Sequence, residues 1–319
     1  TALALLLARN GHAVLLWGND AAQLARLEQE RQNSVYLPGV AFPANLHACA
    51  SLADAAKSSA HFLIAVPSHA FRATLRNLKP HLPAQAILAW ATKGIEPGSG
   101  KLLSRVAQEE LRGKWALAVV SGPTFAREVA LNMPTAMTAA SENEKTADEV
   151  AAWLRNERVR VYTSRDVAGV QLGGAIKNVM AIAAGISDGL GFGANARAAL
   201  ITRGLAELTR LGVAMGGQKE TFMGLAGAGD LILTCTDNAS RNRRVGLALG
   251  QGRQLPEILA DLGQEAEGVA TARELYQLAG HLNVDMPITE QVYRVLYEKL
   301  SPQDAVEALL RREPRAESP

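Results

Sequence analysis

Four stretches of the sequence place polar and charged side chains beside glycines, a combination that packing alone does not explain. Each lies where a strand is expected to end or a helix to begin, so side chains and backbone N–H groups can meet a ligand there. Lysine, arginine, serine and threonine in such places can hold a polar ligand or carry a proton. The stretches are WATKGIE (90–96), SGPTFARE (121–128), GGAIKNVMAI (173–182) and GLAGAGDLILTCTDNASRNRR (224–244).

The elements expected to position these stretches alternate between helices and apolar strands over the first half of the chain. Residues 1–9 predict a helix that Asn10 and Gly11 stop, and the apolar HAVLLW (12–17) predicts a buried strand. Further strands are predicted at 61–66, 86–92, 115–121 and 134–140. Continuously apolar strands alternating with helices predict an α/β fold, a doubly wound Rossmann-like parallel sheet covered on both faces.

From Val170 onward the pattern changes to long helical stretches with no convincing strand. We therefore predict a dinucleotide-binding Rossmann-like domain over residues 1–168 and an all-helical substrate and catalytic domain over residues 169–319, whose charged tail at 311–319 is expected to be loose. A dinucleotide site of this kind also needs a first strand and a Gly-rich turn, so we expect the gene to encode a strand and a G-x-G-x-x-G turn directly before Thr1. The alternative is a sheet that begins with the strand at 12–17.

The composition is that of an ordinary globular protein and narrows the class of function. The chain has 319 residues, of which 48% are apolar and 20% charged, and a formal net charge of +2. Basic and acidic residues are interleaved, which argues against nucleic acid or a membrane surface as a partner. The two cysteines, Cys49 and Cys235, lie far apart, so we expect a reducing, cytoplasmic location.

Other targeting and ligand classes are also disfavoured. No uninterrupted apolar run approaches the ~20 residues that span a bilayer, and the opening apolar stretch lacks the basic start of an export signal. The six histidines are scattered, so we predict no metal site.

The four stretches together resemble bacterial NAD(P)-dependent glycerol-3-phosphate dehydrogenase. The resemblance implies an oxidoreductase that interconverts dihydroxyacetone phosphate and sn-glycerol 3-phosphate with NAD(P)H and supplies glycerol phosphate for phospholipid synthesis. The segments that carry it, in matching order over nearly the whole chain, are GPTFA (122–126), GGAIKN (173–178), GFGANARAALITRG (191–204), DLILTCT (230–236) and SRNRR (240–244).

Lys177 matches the general acid/base of that family. A free lysine with a pKa of ~10.4 is a poor base at neutral pH. Burial among apolar neighbours and a helix N-terminus would lower the pKa, whereas Asp230 would raise it. We place Lys177 at the start of a long helix and expect a depressed pKa; a helix lysine that snorkels to solvent is the alternative.

The resemblance also assigns residues to the substrate and to the cofactor. Arg241, Ser240 and Asn242 would hold the substrate phosphate through a planar guanidinium and neutral hydrogen bonds. The full substrate-binding set is Lys93, Gly122, Thr124, Lys177, Asp230, Thr234, Ser240, Arg241 and Asn242. The cofactor-binding set is Asn19, Lys93, Ala126, Arg241, Glu265 and Glu267.

Residues after the strand at 12–17 bear on the choice between NAD and NADP. The chain offers the neutral Asn19 there, and Asp20 with Gln23 forms a capping-box pattern for the next helix. A neutral strand end tolerates the 2′-phosphate of NADP.

Two other functions remain open at this level. A related hydroxyacid-type reductase would share the two domains and the lysine acid/base, but a non-phosphorylated substrate has no use for Ser240, Arg241 and Asn242. A non-catalytic nucleotide-binding or RNA-binding protein would keep the fold, since fold alone does not prove activity. SRNRR lacks the aromatic interleaving and the second basic cluster typical of RNA binding. We expect a small phosphorylated substrate as the ligand and a homodimer as the assembly.

Overall fold

Residue contacts in the computed structural model, which describes residues 1–313, divide the chain into two compact units. The first unit comprises Thr1–Glu96 and Lys101–Gln171, and the second comprises Pro97–Gly100 and Leu172–Pro319. Residues 314–319 of the predicted loose tail lie outside the described residues.

All strands of the described chain lie in the first unit. Their bounds are β1 Val14–Trp17, β2 Leu46–Cys49, β3 His61–Ile64, β4 Ile87–Trp90, β5 Ala116–Ser121, β6 Thr135–Ala140 and β7 Val159–Ser164. β1 and β2 form a parallel pair, and the other strands form a five-stranded sheet in the order β3-β4-β5-β6-β7.

The helices of the first unit connect these strands, and α1 and α2 follow local signals predicted from the sequence. They are α1 Ala2–Arg9, α2 Ala21–Glu30, α3 Leu52–Lys57, α4 Ser68–Leu78, α5 Leu103–Leu111, α6 Ala126–Ala130 and α7 Glu144–Leu154, with a 3₁₀ turn at Lys79–His81. The predicted cap of α2 is confirmed, because the Asp20 carboxylate accepts a hydrogen bond from the Gln23 backbone N–H at 2.9 Å. α1 ends at the predicted stop, where Gly11 has a φ of +90°.

Neighbouring strands run parallel except for β5 and β6. These two are antiparallel, with Val119 opposite Ala140 and Ser121 opposite Thr138. Their connection contains only the single-turn helix α6, too short to carry the chain back across the sheet as a crossover helix does. The predicted Rossmann-like α/β class is confirmed, with this antiparallel pair as an added feature.

The core of the first unit forms between the sheet and α1. Leu5 and Leu6 of α1 are fully buried, as are Ala118 of β5 and Met137 of β6. Burial of a leucine side chain stabilises a fold by roughly 1.5–3 kcal/mol. This packing fixes the strands whose carboxyl ends carry the polar stretches.

The described part of the second unit is helical, as predicted. Its helices are α8 Val167–Gly189, which begins within the sequence range of the first unit, α9 Ala194–Ala214, α10 Lys219–Phe222, α11 Asp230–Thr236, α12 Arg241–Gly250, α13 Leu255–Leu262, α14 Glu267–His281, α15 Pro287–Tyr297 and α16 Pro302–Leu310, with a π-helical turn at Leu225–Gly229.

α8 is the central helix of this unit. By length and composition it could cross a membrane, with a mean hydropathy of 1.3 over its most apolar window, but 89% of that window is buried within the protein. Glycines let α12 approach it closely: a Cβ atom at Gly246 would lie 2.0 Å from the Ile182 carbonyl oxygen, and one at Gly185 would lie 2.1 Å from the Arg243 carbonyl oxygen. α8 thus serves as the core against which the site residues of the second unit are held.

Candidate functional site

Lys177 lies in the middle of α8 with its ammonium group buried. The residue is only 6% exposed, and its neighbours Ile176 and Val179 are fully buried. Its Nζ atom donates hydrogen bonds to the Asp230 carboxylate and, at 3.0 Å, to the Thr234 hydroxyl. Lys177 therefore does not snorkel to solvent.

The prediction that Lys177 starts its helix is wrong. α8 already begins at Val167, ten residues before Lys177, and Gly173 and Gly174 lie inside it. A helix N-terminus affects charges only within about the first turn, so it does not act on Lys177.

Asp230 and Thr234 come from successive turns of α11 and face the Lys177 ammonium. Asp230 is 1% exposed and Thr234 is 3% exposed. The Thr234 hydroxyl donates to the main-chain oxygen of Asp230 at 2.6 Å, so its lone pairs are turned toward Lys177. Two buried opposite charges and one oriented hydroxyl hold a proton at a defined place, which is the requirement for acid/base catalysis.

Two glycines bring α8 and α11 to this distance. A Cβ atom at Gly173 would lie 2.2 Å from the Ala226 carbonyl oxygen, so α8 touches the backbone of the π-helical turn that precedes α11. Within that turn, a Cβ atom at Gly227 would lie 2.1 Å from the Phe222 carbonyl oxygen. Any side chain at either glycine would push Asp230 away from Lys177.

Cys235 lies on α11 beside this cluster but is not a candidate nucleophile. Burial raises the pKa of its thiol to about 12, an effect that exceeds the opposing influence of the Lys177 and Arg243 charges. The thiol stays protonated at neutral pH, and only a thiolate is strongly nucleophilic.

The first turn of α12 carries the predicted phosphate-binding residues. The Ser240 hydroxyl caps the helix by accepting the Arg243 backbone N–H at 3.2 Å, and Asn242 Oδ1 accepts the Gly268 backbone N–H at 3.0 Å. Both side chains are buried, whereas Arg241 is exposed. An exposed guanidinium beside a helix N-terminus is suited to an anion.

The hydrogen bond from Gly268 to Asn242 ties α12 to the start of α14. Gly268 also packs on α8, since a Cβ atom there would lie 2.8 Å from the Asn178 carbonyl oxygen. The structure thereby brings the first turns of α12 and α14 to the part of α8 that carries Lys177. Glu267 is half-buried as the first residue of α14, and Glu265 is exposed just before it.

In the first unit, Lys93 and Thr124 converge on one main-chain oxygen. Lys93 Nζ donates to the Gly122 carbonyl at 3.0 Å, and the Thr124 hydroxyl donates to the same carbonyl at 3.2 Å. Gly122 has a φ of +143°, and a Cβ atom there would lie 2.9 Å from Met137 Cα, so only glycine fits. The segments that follow β4 and β5 are thus joined by polar contacts.

Asn19 and Ala126 lie at the ends of different sheets. Asn19 is exposed two residues after β1 of the two-stranded pair, and Ala126 is exposed as the first residue of α6, after β5 of the larger sheet. Within residues 1–313 there is no group of three or more His, Cys, Asp or Glu side chains that could hold a metal ion.

Sequence reasoning missed Arg243, a charged residue that is only 7% exposed. The sequence did contain a signal for its burial. Arg243 lies at helical spacing from Gly246 and Gly250, on the face of α12 that packs on α8. The neighbouring arginines Arg241 and Arg244 are both exposed.

Comparison with known proteins matches both halves of the chain to one family. The family model for the N-terminus of NAD-dependent glycerol-3-phosphate dehydrogenase matches residues 1–147, and the model for its C-terminus matches residues 166–307. The chain is 56% identical over 318 residues to a glycerol-3-phosphate dehydrogenase (NAD(P)+) of Pseudoalteromonas translucida, covering 99% of this chain and 95% of the relative. It is 54% identical to the enzyme of that name from Aeromonas hydrophila, with the same coverage. The crystal structure of a glycerol-3-phosphate dehydrogenase from Coxiella burnetii matches with a TM-score of 0.94 at 47% identity, over 98% of this chain and 95% of that one.

Proposed function

This chain belongs to the family of NAD-dependent glycerol-3-phosphate dehydrogenases, and we propose that Lys177 transfers the proton in its reaction. The enzyme interconverts sn-glycerol 3-phosphate and dihydroxyacetone phosphate with NAD(P)H, which supplies glycerol phosphate for phospholipid synthesis. The single observation that carries the assignment is the buried Lys177 ammonium held by Asp230 and Thr234.

The chemistry requires one proton to move for each turnover. Reduction of the ketone leaves an oxygen that must gain a proton, and oxidation of the alcohol removes that proton again. Lys177 donates it in the first direction and accepts it in the second, while NAD(P)H, when bound, supplies the hydride. Asp230 balances the positive charge of the ammonium, and the Thr234 hydroxyl, anchored on the Asp230 carbonyl, orients the Nζ atom.

The substrate phosphate is assigned to the first turn of α12. Arg241 supplies an exposed guanidinium, and the helix N-terminus adds its positive potential. Ser240 and Asn242 already have partners in the main chain, so their first contribution is to fix the turn from which Arg241 projects. For the first unit, we propose Lys93, Gly122 and Thr124 as substrate-binding residues.

The carboxyl ends of β4 and β5 fit a polar cofactor. The Trp90 indole Nε1 and the Ser121 hydroxyl, at the ends of these adjacent strands, are buried and have no hydrogen-bond partner among the described residues. Unsatisfied buried polar atoms at this edge, beside the cradle at Gly122, are what a ligand in a doubly wound sheet would use. We assign NAD(P)H to Asn19, Lys93 and Ala126 in the first unit and to Arg241, Glu265 and Glu267 in the second.

The assignment of Lys177 is tested by comparing Lys177→Ala with Lys219→Ala, an exposed lysine on α10. We expect Lys177→Ala to abolish the oxidation of NADPH by dihydroxyacetone phosphate while NADPH binding, followed by fluorescence, is retained. Lys219→Ala should match the wild type. Turnover that survives in Lys177→Ala would refute the assignment.

A second measurement tests the proposed phosphate contacts. The wild-type enzyme should turn over dihydroxyacetone phosphate far more efficiently than dihydroxyacetone, because Arg241 has no partner in the unphosphorylated ketone. Equal efficiencies would favour a hydroxyacid-type reductase.

The cellular setting is also a proposal. Cys49 and Cys235 are free thiols, which suits the reducing cytoplasm. We propose a homodimer without a nucleic-acid partner and without membrane insertion. Light scattering of the purified protein at physiological salt would test the dimer by its molecular mass.

A further inference from the structure

The buried guanidinium of Arg243 contacts three segments of the second unit at once. Its Nε atom donates to the Cys235 carbonyl at 3.0 Å, near the end of α11. Its two terminal nitrogens donate to Asn238 Oδ1, in the loop between α11 and α12, and to the Asp188 carboxylate, near the end of α8. One side chain therefore joins the Lys177 helix, the Asp230 helix and the loop that leads into the phosphate-binding turn.

The charge of Arg243 is balanced within the protein. Asp188 also accepts a hydrogen bond from Arg197 of α9 at 2.9 Å, so one carboxylate serves two arginines. The Arg243 and Asp188 side chains are 8% and 10% exposed, respectively, and their attraction is therefore little screened by solvent. The contact thus acts as a permanent link between α8 and α12 rather than as a surface ion pair.

The main chain at Arg243 is fixed as well. Its carbonyl oxygen packs against Gly185 of α8, and its N–H group is held by the Ser240 cap. Ser240 in turn donates its N–H to the Asp237 carbonyl at 3.2 Å. Side chain and backbone of Arg243 thus fix both ends of the short loop at 237–240.

We infer that Arg243 is a positioning residue that sets the place of Arg241 and thereby the affinity for the substrate phosphate. The inference rests on the proposed function of Arg241. Arg241 lies two positions before Arg243 in the same turn, so a shift of the loop would move its guanidinium away from the phosphate. Lysine cannot replace Arg243, because a single ammonium cannot span Cys235, Asn238 and Asp188 in the planar geometry of a guanidinium.

The test compares Arg243→Lys with Arg244→Lys in the full chain. Arg244 is the next residue on α12 and is exposed, so it provides a matched control outside the proposed site. For Arg243→Lys we expect the KM for dihydroxyacetone phosphate to rise about tenfold with a change in kcat below about threefold, the pattern of lost substrate binding. The preference for dihydroxyacetone phosphate over dihydroxyacetone should fall by a similar factor, which a general loss of stability would not cause.

Coupling to Arg241 separates positioning from an independent effect. In the Arg241→Gln background, Arg243→Lys should add little to the KM, because residues that act through one contact are not additive. Asp188→Asn, which retains the guanidinium, should reduce the phosphate preference in the same direction and carries the test if Arg243→Lys does not fold.

Two results would overturn the inference. One is an unchanged phosphate preference in Arg243→Lys, or in Asp188→Asn where Arg243→Lys does not fold. The other is an increase in KM caused by Arg243→Lys that is as large in the Arg241→Gln background as in the wild type. A wild-type enzyme that shows no turnover of dihydroxyacetone phosphate would instead refute the proposed function itself.

Discussion

Asp230 and Lys177 are both buried, so the opposite charge of each offsets the cost of removing the other from water. A buried ammonium without a partner carries a large desolvation cost, and the carboxylate offsets that cost. The same carboxylate sets how firmly the proton is held on the Nζ atom. If Lys177 transfers the proton as proposed, we expect the pair to govern the pH range over which that transfer occurs.

Asp230→Asn keeps the size of the side chain and removes its charge. We expect kcat for the reduction of dihydroxyacetone phosphate to fall about tenfold or more. The alkaline limb of the pH–rate profile should also move to lower pH, because an ammonium without a carboxylate neighbour releases its proton more readily. Asp261→Asn, which alters a carboxylate of α13 that is 67% exposed, is the control. If the profile of Asp230→Asn coincides with that of the wild type, Asp230 does not govern the proton on Lys177.

At the residue scale, the family resemblance supplied the members of the second-unit cluster and the expected influence of Asp230 on Lys177, but not the packing that brings them together. Lys177, Asp230 and Thr234 belong to GGAIKN and DLILTCT, whose polar residues are visible among apolar ones. Lys177 and Asp230 are 53 positions apart, however, and the approach of Gly173 to Ala226 decides their contact. Such an approach depends on tertiary packing, which one sequence does not reveal.

At the scale of elements, α8 and α12 fit together through glycines on both helices. Gly185 and Gly189 on α8 face backbone atoms of α12, and Gly246 and Gly250 on α12 face backbone atoms of α8. Absent side chains let the two backbones touch, so Arg243 and the proposed phosphate-binding turn lie close to α8. The fit leaves no room for even one methyl group.

Gly246→Ala should disrupt this contact. The added Cβ atom would lie 2.0 Å from the Ile182 carbonyl oxygen, a backbone atom that cannot turn aside, so the helices must separate. We expect the free energy of unfolding to fall by about 3 kcal/mol, at the upper end of typical overpacking costs. Urea unfolding followed by circular dichroism measures this loss.

Gly280→Ala is the matched control for that substitution. Gly280 lies in α14 with no atom within 4 Å of its added Cβ atom, so the change should leave stability unchanged or raise it by up to about 1 kcal/mol. Similar losses in both variants would contradict the role given to the α8 and α12 contact.

Two strands, β2 and β7, were not predicted from the sequence, although the β7 segment VRVYTS begins with alternating apolar and polar residues. β2 has only the four residues Leu46–Cys49, including a histidine and a cysteine, and so shows no continuous apolar run. Lys177 was expected at the start of its helix, whereas α8 begins ten residues earlier, at Val167. Gly173 lies within α8 because the close approach to Ala226 requires a glycine there.

For the molecule as a whole, the alternation of apolar strands and helices was sufficient to predict the fold class. The last strand of the described chain ends at Ser164, and only helices follow up to Leu310. The antiparallel placement of β6 beside β5 was not predictable in the same way, because an apolar strand has the same pattern in either direction. Apolar composition indicates burial on both faces, and the parallel direction was expected from the helices between strands; α6 is too short to act as such a crossover.

The protonation of Glu207, a buried carboxylic acid, affects the stability of the second unit. It lies on α9 and is 1% exposed, and its carboxylate accepts the backbone N–H groups of Ile288 and Thr289 at 2.6 and 3.1 Å, at the start of α15. Burial raises the pKa of Glu207 to about 7 from an ordinary value of 4.5, an effect that exceeds the opposing hydrogen bonds and the charge of Arg210.

The folded protein therefore retains a proton on Glu207 over a pH range in which the unfolded chain has released it. The contribution of Glu207 to stability is expected to fall as the pH rises from about 4.5 to about 7, by a total on the order of 3 kcal/mol, and the loss is complete above that range. Glu207→Gln carries no titrating group, so its stability should decline less between about pH 5 and about pH 8 than that of the wild type. Urea unfolding at a series of pH values measures both slopes, and the exposed Glu257→Gln should keep the wild-type slope. Parallel curves for the wild type and Glu207→Gln would mean that Glu207 is ionised in the folded protein throughout this range, with its hydrogen bonds to α15 outweighing the cost of burial.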